Sequence, residues 1–239
     1  MAQASDLKVK DVRIGLGYTA VLLENDHAGL AYTFRDDLPE GCSVFHGNRP
    51  LAGKKAGALL PFLKSDLSID SALGLATANA LLNHETQGIH KGDVLQNVDI
   101  NPGDHVGMVG LFAPLVKPIK NKAASLTFFE KDPKRGQHEG VLPLQLMNEV
   151  LPRCQVVFMT STAILNGTID DMLALAKGCR EVVMLGASTP LEPEVFKDTP
   201  ISCLSGVIVV RPREIMRMVS EGCGMRHFGD AIEKVNIRV

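Results

Sequence analysis

The groups best equipped for chemistry in this chain are hydroxyls, amides and one carboxylate, each placed where an apolar run ends. Val156-Val-Phe-Met159 runs into Thr160-Ser-Thr-Ala-Ile-Leu-Asn-Gly-Thr168, and Val182-Val-Met-Leu185 runs into Gly186-Ala-Ser-Thr-Pro190. Thr160, Ser161, Thr168, Ser188 and Thr189 can each donate and accept a hydrogen bond. Asn166 and Thr168 stand where a helical pattern begins, and free N–H groups at a helix start attract a carboxylate, a phosphate or another anion. The same residues serve equally well as a helix cap, and the hydroxyls as partners for loop backbone. A third run, Val106-Gly-Met-Val-Gly110, passes into Leu111-Phe-Ala-Pro114. Gly110 suits a tight turn, and Glu130 ends the next run, where a dinucleotide fold keeps its ribose-binding acid. Leu111 and Phe112, however, occupy the place where a pyrophosphate needs bare backbone, and G-x-G-x-x-G is absent. Glu130 is therefore the candidate general base, its alternative being a solvated acid at a strand end.

Asn79 lies inside an otherwise apolar helical segment, where an unpaired amide is costly. It either satisfies nearby backbone or points into a cleft. Cys42-Ser-Val-Phe-His46 and Cys223-Gly-Met-Arg-His227 are both C-x3-H and would supply a Cys2His2 set if they met in space, although such pairs also arise by chance. Arg211, Arg213 and Arg217 sit near the start of the last helical pattern, within reach of an anion or forming a solvated face. The nucleophile elbow, the Walker loop and H-E-x-x-H are all missing.

These residues need a frame, and apolar runs alternating with helical patterns describe one. Strands are expected near 105–110, 125–130, 155–160, 181–185 and 206–210, with a short one near 201–204. Helices are expected near 113–121, 143–151, 168–177 and 212–221, and Pro114, Pro143 and Pro212 fall where a helix would begin. This is the pattern of a Rossmann-like, doubly wound, mainly parallel α/β sheet, whose ligand crevice lies outside the carboxyl ends of its strands. Ahead of it, residues 11–34 read as a hairpin with Glu24-Asn-Asp-His-Ala-Gly29 as the turn. A helix candidate at 54–63 is interrupted by Pro61. A strong helix covers 68–82, with Ser68 as its N-cap and Asp70 in its first turn. Two strands followed by helices make a smaller α+β domain. The polar stretch containing Lys91-Gly-Asp93 and Asn101-Pro-Gly-Asp104 places the boundary between domains 1–100 and 101–239.

The totals narrow the function classes. Lys plus Arg number 25 against 27 Asp plus Glu, a net charge of -2, which argues against a dedicated nucleic-acid binder. No apolar run approaches the ~20 residues of a membrane helix, and the first residues carry no secretory pattern. Five scattered cysteines without a C-x-x-C pair fit a reduced, cytoplasmic protein.

Gly15-Leu-Gly-Tyr-Thr-Ala-Val21, Ala76-Thr-Ala-Asn-Ala-Leu-Leu82, Thr160–Thr168 and Gly186-Ala-Ser-Thr-Pro-Leu191 together resemble, in order, the motifs of the "putative heavy-metal chelation" family, a group of unknown function. The resemblance spans nearly the whole chain. It implies an enolase-N-terminal-like domain ahead of the Rossmann-like one, with a site where they meet. It also implies a role in condensation or hydrolysis within pterin-, flavin- or siderophore-like metabolism, linked to heavy-metal handling. The expected ligand is small and polar or anionic, a heavy metal or metal chelate included. Asn79, Gly110, Thr160, Ser161, Asn166, Thr168, Gly186, Ser188 and Thr189 would line that site, with Glu130 as the base. Two other readings stand beside it: a metal- or chelate-binding module without turnover, and a nucleotide- or adenosylmethionine-dependent enzyme. The family carries a helical segment before its hairpin, whereas only a short stretch precedes Val12 here. A partner subunit of a homo-oligomer is expected to cover the exposed strand instead.

Overall fold

The computed structural model describes residues 4–37, 47, 49–84, 87–130 and 141–239. The chain begins with three antiparallel strands, β1 (Val9–Ile14), β2 (Tyr18–Leu23) and β3 (Ala28–Tyr32). The expected hairpin is thus three strands, because its first arm folds back at Gly15-Leu-Gly17. Gly15 is required there: a Cβ would lie 2.2 Å from the carbonyl oxygen of Val219. Along β2 alternate residues bury on opposite faces. Val21 and Leu23 pack with the helix α1 (Ser68–Leu82), while Ala20 and Leu22 pack with Ile215, Met216 and Val219 of a later helix. With both faces covered, the strand reads as a continuous apolar run rather than an alternating one.

The 54–63 helix candidate is instead two 3-10 turns, Ala56–Ala58 and Leu60–Lys64, with Pro61 tolerated in the first turn of the second. Helix α1 forms over the expected residues, but Leu67 occupies the N-cap position without a side-chain cap, and Ser68 is the first helical residue. Its small and leucine side chains are buried on nearly every side. Gly29 and Gly74 allow this, since a Cβ on either would come within 2.2 Å of backbone on the facing element.

The second sheet has eight strands: β4 (His90–Lys91), β5 (His105–Val109), β6 (Ser125–Phe129), β7 (Val141–Leu142), β8 (Val156–Thr160), β9 (Glu181–Leu185), β10 (Cys203–Val209) and β11 (Ile232–Arg238). Their order is β4-β11-β10-β9-β8-β5-β6-β7. The six strands from β7 to β10 are parallel, while β11 runs antiparallel to β10, and β4 antiparallel to β11. Taken by themselves in chain order, the parallel strands follow the 3-2-1-4-5-6 order of a doubly wound fold. The helices between them are α2 (Ala113–Lys120), α3 (Met147–Val150), α4 (Ile169–Leu175), α5 (Pro193–Phe196), α6 (Pro212–Ser220) and α7 (Met225–Phe228). Of the helix expected over 143–151, only four residues are α-helical; the rest are 3-10 turns beginning after Pro143 and around Pro152. Among the described residues no helix is long and apolar enough to cross a membrane.

At the amino-terminal edge of this sheet two carboxylates bind its ends together. Arg180 donates to Asp104 through Nη1 at 3.0 Å and Nη2 at 2.6 Å, joining the segments that lead into β5 and β9. Arg238 of β11 donates to both oxygens of the buried Glu181, and Ser202 Oγ donates to the same carboxylate at 2.5 Å. The paired geometry satisfies charges that burial would otherwise penalise.

Candidate functional site

The carboxyl ends of the parallel strands all open at the opposite edge, and the strand order reverses between β5 and β8. Chains leave that point in opposite directions and open a crevice, the usual ligand position in such sheets. The turn after β5 is built for close contact. Gly110 has φ +85°, a left-handed conformation that favours glycine, and a Cβ there would lie 3.1 Å from Thr160 Cβ at the end of β8. Its N–H is bound by Phe129 O at 2.8 Å. The next N–H, that of Leu111, donates to Glu130 Oε2 at 3.2 Å. Glu130 therefore reaches back across the strand ends and occupies the donor that a phosphate would use, with Leu111 and Phe112 beside it.

On the other side of the crevice, Thr160 Oγ1 accepts from the Thr162 N–H at 3.3 Å and is 2.9 Å from Thr162 Oγ1. Gly110, Leu111, Glu130, Thr160 and Thr162 are all part-exposed. Structure thus brings Gly110, Glu130 and Thr160 together at one accessible place. Asn166 and Thr168 lie further along the loop. Asn166 Oδ1 accepts from Thr168 Oγ1 at 2.7 Å and from its N–H at 3.2 Å, so these two residues chiefly bind each other. Helix α4 has only seven residues, and its first orphan donor is already shared with Ala163 O.

The remaining site residues have a different environment. Helix α1 packs on β2 and β3, and its Ser71 together with Asn83 just beyond it reaches the segments that follow β8 and β9 and strand β10. Ser71 Oγ donates to Leu165 O at 3.4 Å after β8. Asn83, just beyond α1, donates through Nδ2 to Thr189 O at 2.9 Å and to Val207 O at 3.4 Å, and its Oδ1 accepts from the Leu191 N–H at 2.9 Å. Ser188 Oγ accepts from the Tyr32 N–H at the end of β3, at 2.8 Å. Ser188 and Thr189 are consequently 1% and 0% exposed, and their contacts join the two sheets. Gly186, at φ +128°, brings its backbone against Ser161, whose Oγ would be 2.9 Å from an added Cβ. Asn79 donates to Leu30 O at 2.8 Å, the backbone-satisfying alternative of the two open to it.

Three polar atoms in this region, Ser161 Oγ, Thr189 Oγ1 and Asn79 Oδ1, are buried without a hydrogen-bond partner. Asn83, Thr162 and Tyr32 were not singled out by residue type. Asn83 had one available signal, an amide at the end of an apolar helix.

A soft-metal centre was tested on the donors themselves. Cys42 and His46 lie outside the described residues. Among the described residues, no three His, Cys, Asp or Glu side chains converge in a set able to hold an ion. Burial pushes the thiols of Cys154 and Cys203 up to about 11, keeping them protonated and poor as ligands at neutral pH. The described residues do not fit a resident metal.

Comparison with known proteins adds a family. A sequence model described as "Putative heavy-metal chelation" matches residues 93–238, and a second of the same description matches residues 1–82. An uncharacterized protein of Methanocaldococcus jannaschii is 26% identical over 215 residues, 86% of this chain and 80% of the relative. A crystal structure from Pyrococcus horikoshii, of unknown function, superposes with a TM-score of 0.87 at 23% identity, covering 100% of this chain and 96% of that one. Another from Desulfitobacterium hafniense, also of unknown function, gives 0.81 at 24% identity, with 98% and 93% covered. Both share the fold.

Proposed function

The chain belongs to the family described as "Putative heavy-metal chelation", and from that premise we propose that it binds a small polar organic molecule at the reversal point between β5 and β8. The observation that carries this reading is the arrangement of Gly110, Leu111, Glu130 and Thr160: a turn whose positive φ and close neighbour disfavour a side chain, facing a carboxylate and a hydroxyl in an accessible crevice. Such a set of groups recognises hydroxyl or amine donors. The carboxylate at the Leu111 N–H disfavours a phosphate in that place, so of the polar and anionic ligands expected, the polar one fits better. Where a proton is removed, Glu130 is the group to take it.

Ser161 and Gly186 adjoin each other next to Thr160, while Ser188, Thr189 and Asn79 are buried and act from further back, by joining the small sheet and α1 to their neighbours. Asn166 and Thr168 shape its outer loop. The domain division at residues 100–101 belongs to the same proposal, with the crevice near the contact between the two units. A heavy metal enters this reading as part of a bound chelate rather than through protein thiolates.

Native mass spectrometry of the purified protein tests it. The wild type should retain an organic adduct that is absent from the folded Gly110→Ala variant and weakened in Glu130→Gln. An adduct retained equally by both variants would place the ligand elsewhere, and a bare metal adduct would favour the chelation module instead.

A further inference from the structure

A second groove lies on the far side of the small sheet, where α6 packs against β1 and β2. It is an open depression of about 320 Å³ lined by Asp11, Arg13, Leu22, Arg213, Met216, Arg217, Ser220 and Glu221. Its geometry is fixed by backbone, since Gly15 sits directly against the Val219 carbonyl. Leu22 and Met216 are each 4% exposed and give the groove an apolar floor.

The charges around that floor are placed against local physics. Arg213 is in the first turn of α6, where the helix dipole disfavours a cation. Arg217 follows it at i+4, a like-charge pair that destabilises a helix. Neither guanidinium has a hydrogen-bond or ion-pair partner among the described residues. The neighbouring acids have their direct ion pairs elsewhere, Asp11 with Arg13, Asp26 with Lys10, and Glu214 and Asp230 with Arg211, while Asp26 attracts Arg213 only at longer range. Arg211, one of the three arginines of this region, is thereby a structural residue. Glu221 makes no ion pair with either free arginine. Both arginines are exposed at the rim of the groove, with their guanidinium donors available to an anion that reaches it.

We propose that this groove is an oxyanion site, distinct from the β5–β8 crevice, which takes a small organic phosphate. Arg213 and Arg217 would hold the phosphoryl oxygens, with Arg13, held in its pair with Asp11, bordering the site on β1. Planar guanidinium forks suit that geometry. The apolar floor would receive the organic part. Because β1 and β2 form one wall and α6 the other, the bound molecule would bridge the small sheet and the Rossmann-like unit.

Titration calorimetry of the full chain at low ionic strength tests the proposal, with phenyl phosphate and inorganic phosphate as probes and chloride as control. Phenyl phosphate should bind saturably at one site and more tightly than inorganic phosphate. The Arg213→Ala, Arg217→Ala double variant should bind at least tenfold more weakly. The Arg213→Lys, Arg217→Lys variant, which keeps the charge and the helix but loses the fork, should fall between them. Absence of saturable binding, or an affinity unchanged in the folded variants, overturns the proposal. Glu130→Gln should leave this binding intact, so failure here and failure at the β5–β8 crevice are separable.

Discussion

Replacing Asn83 by alanine should loosen the contact between the two sheets more than any comparable amide substitution. The Asn83 side chain is 5% exposed and bonds the Thr189 carbonyl, the Leu191 N–H and, at greater length, the Val207 carbonyl. Alanine leaves the Leu191 donor and the Thr189 acceptor buried, each stranded group costing about 1–3 kcal/mol. Allowing for partial relaxation and entry of water, the net loss should be about 3 kcal/mol, a fall in Tm of roughly 6–12 °C for a chain this size. Asn79→Ala is the internal control. Asn79 makes one bond, to Leu30 O, and its Oδ1 already has no partner, so the cost should be about 1 kcal/mol. Urea unfolding followed by circular dichroism would measure both. Equal losses at the two positions, or an Asn83→Ala loss below about 0.5 kcal/mol, would refute the view that Asn83 holds the sheets together.

Three further outcomes follow from the same structure. The Arg180 guanidinium, hydrogen-bonded to Asp104, holds that carboxyl below its ordinary range. An acid depressed in the folded state contributes stability that is fully present above its unfolded value of ~3.9 and is lost as pH falls through the folded value. The gap in urea midpoint between wild type and Asp104→Asn should therefore be constant near neutrality and close below about pH 4. Cys154 and Cys203, with thiols near 11, should resist iodoacetamide in the native protein at pH 8 while the part-exposed Cys223 reacts, as read by peptide mass spectrometry; early labelling of Cys203 would contradict its burial. Ser161→Ala removes a buried hydroxyl without a partner and should be neutral or stabilising by up to ~1 kcal/mol in thermal unfolding, whereas a clear loss would reveal an interaction at Oγ.

The parallel sheet was legible because β5, β8 and β9 are short apolar runs buried on both faces, a pattern local enough to see in sequence. Strand β11 escaped notice because Ile232-Glu-Lys-Val-Asn-Ile-Arg238 is mixed in polarity and has no turn signal marking it. Strands β4 and β7 are two residues each, too short to carry a period. The expected strands near 201–204 and 206–210 proved to be parts of β10, continuous through Gly206. At the site, residue type could find hydroxyls at strand ends but could not say what covers them. Thr160 and Ser188 have the same donor and acceptor chemistry. One faces an open crevice and the other holds the Tyr32 N–H, a difference set by β3, a strand distant in sequence.

The pairing of β4 with β11 has a consequence for how the chain assembles. Asn236 donates to the Gly92 carbonyl across 144 positions, whereas β1, β2 and β3 meet through short turns. Closing so long a loop is entropically slow, and antiparallel neighbours joined by tight turns form early. During synthesis, β1, β2 and β3 can pair with one another within the first third of the chain, although the face of β2 that packs on α6 waits for residues 212–220, and residues 90–91 have no strand partner until nearly the last residues emerge. The polar segment between the two units is therefore the last part to lock. In hydrogen exchange its amides should open with those of β11 as one cooperative clasp.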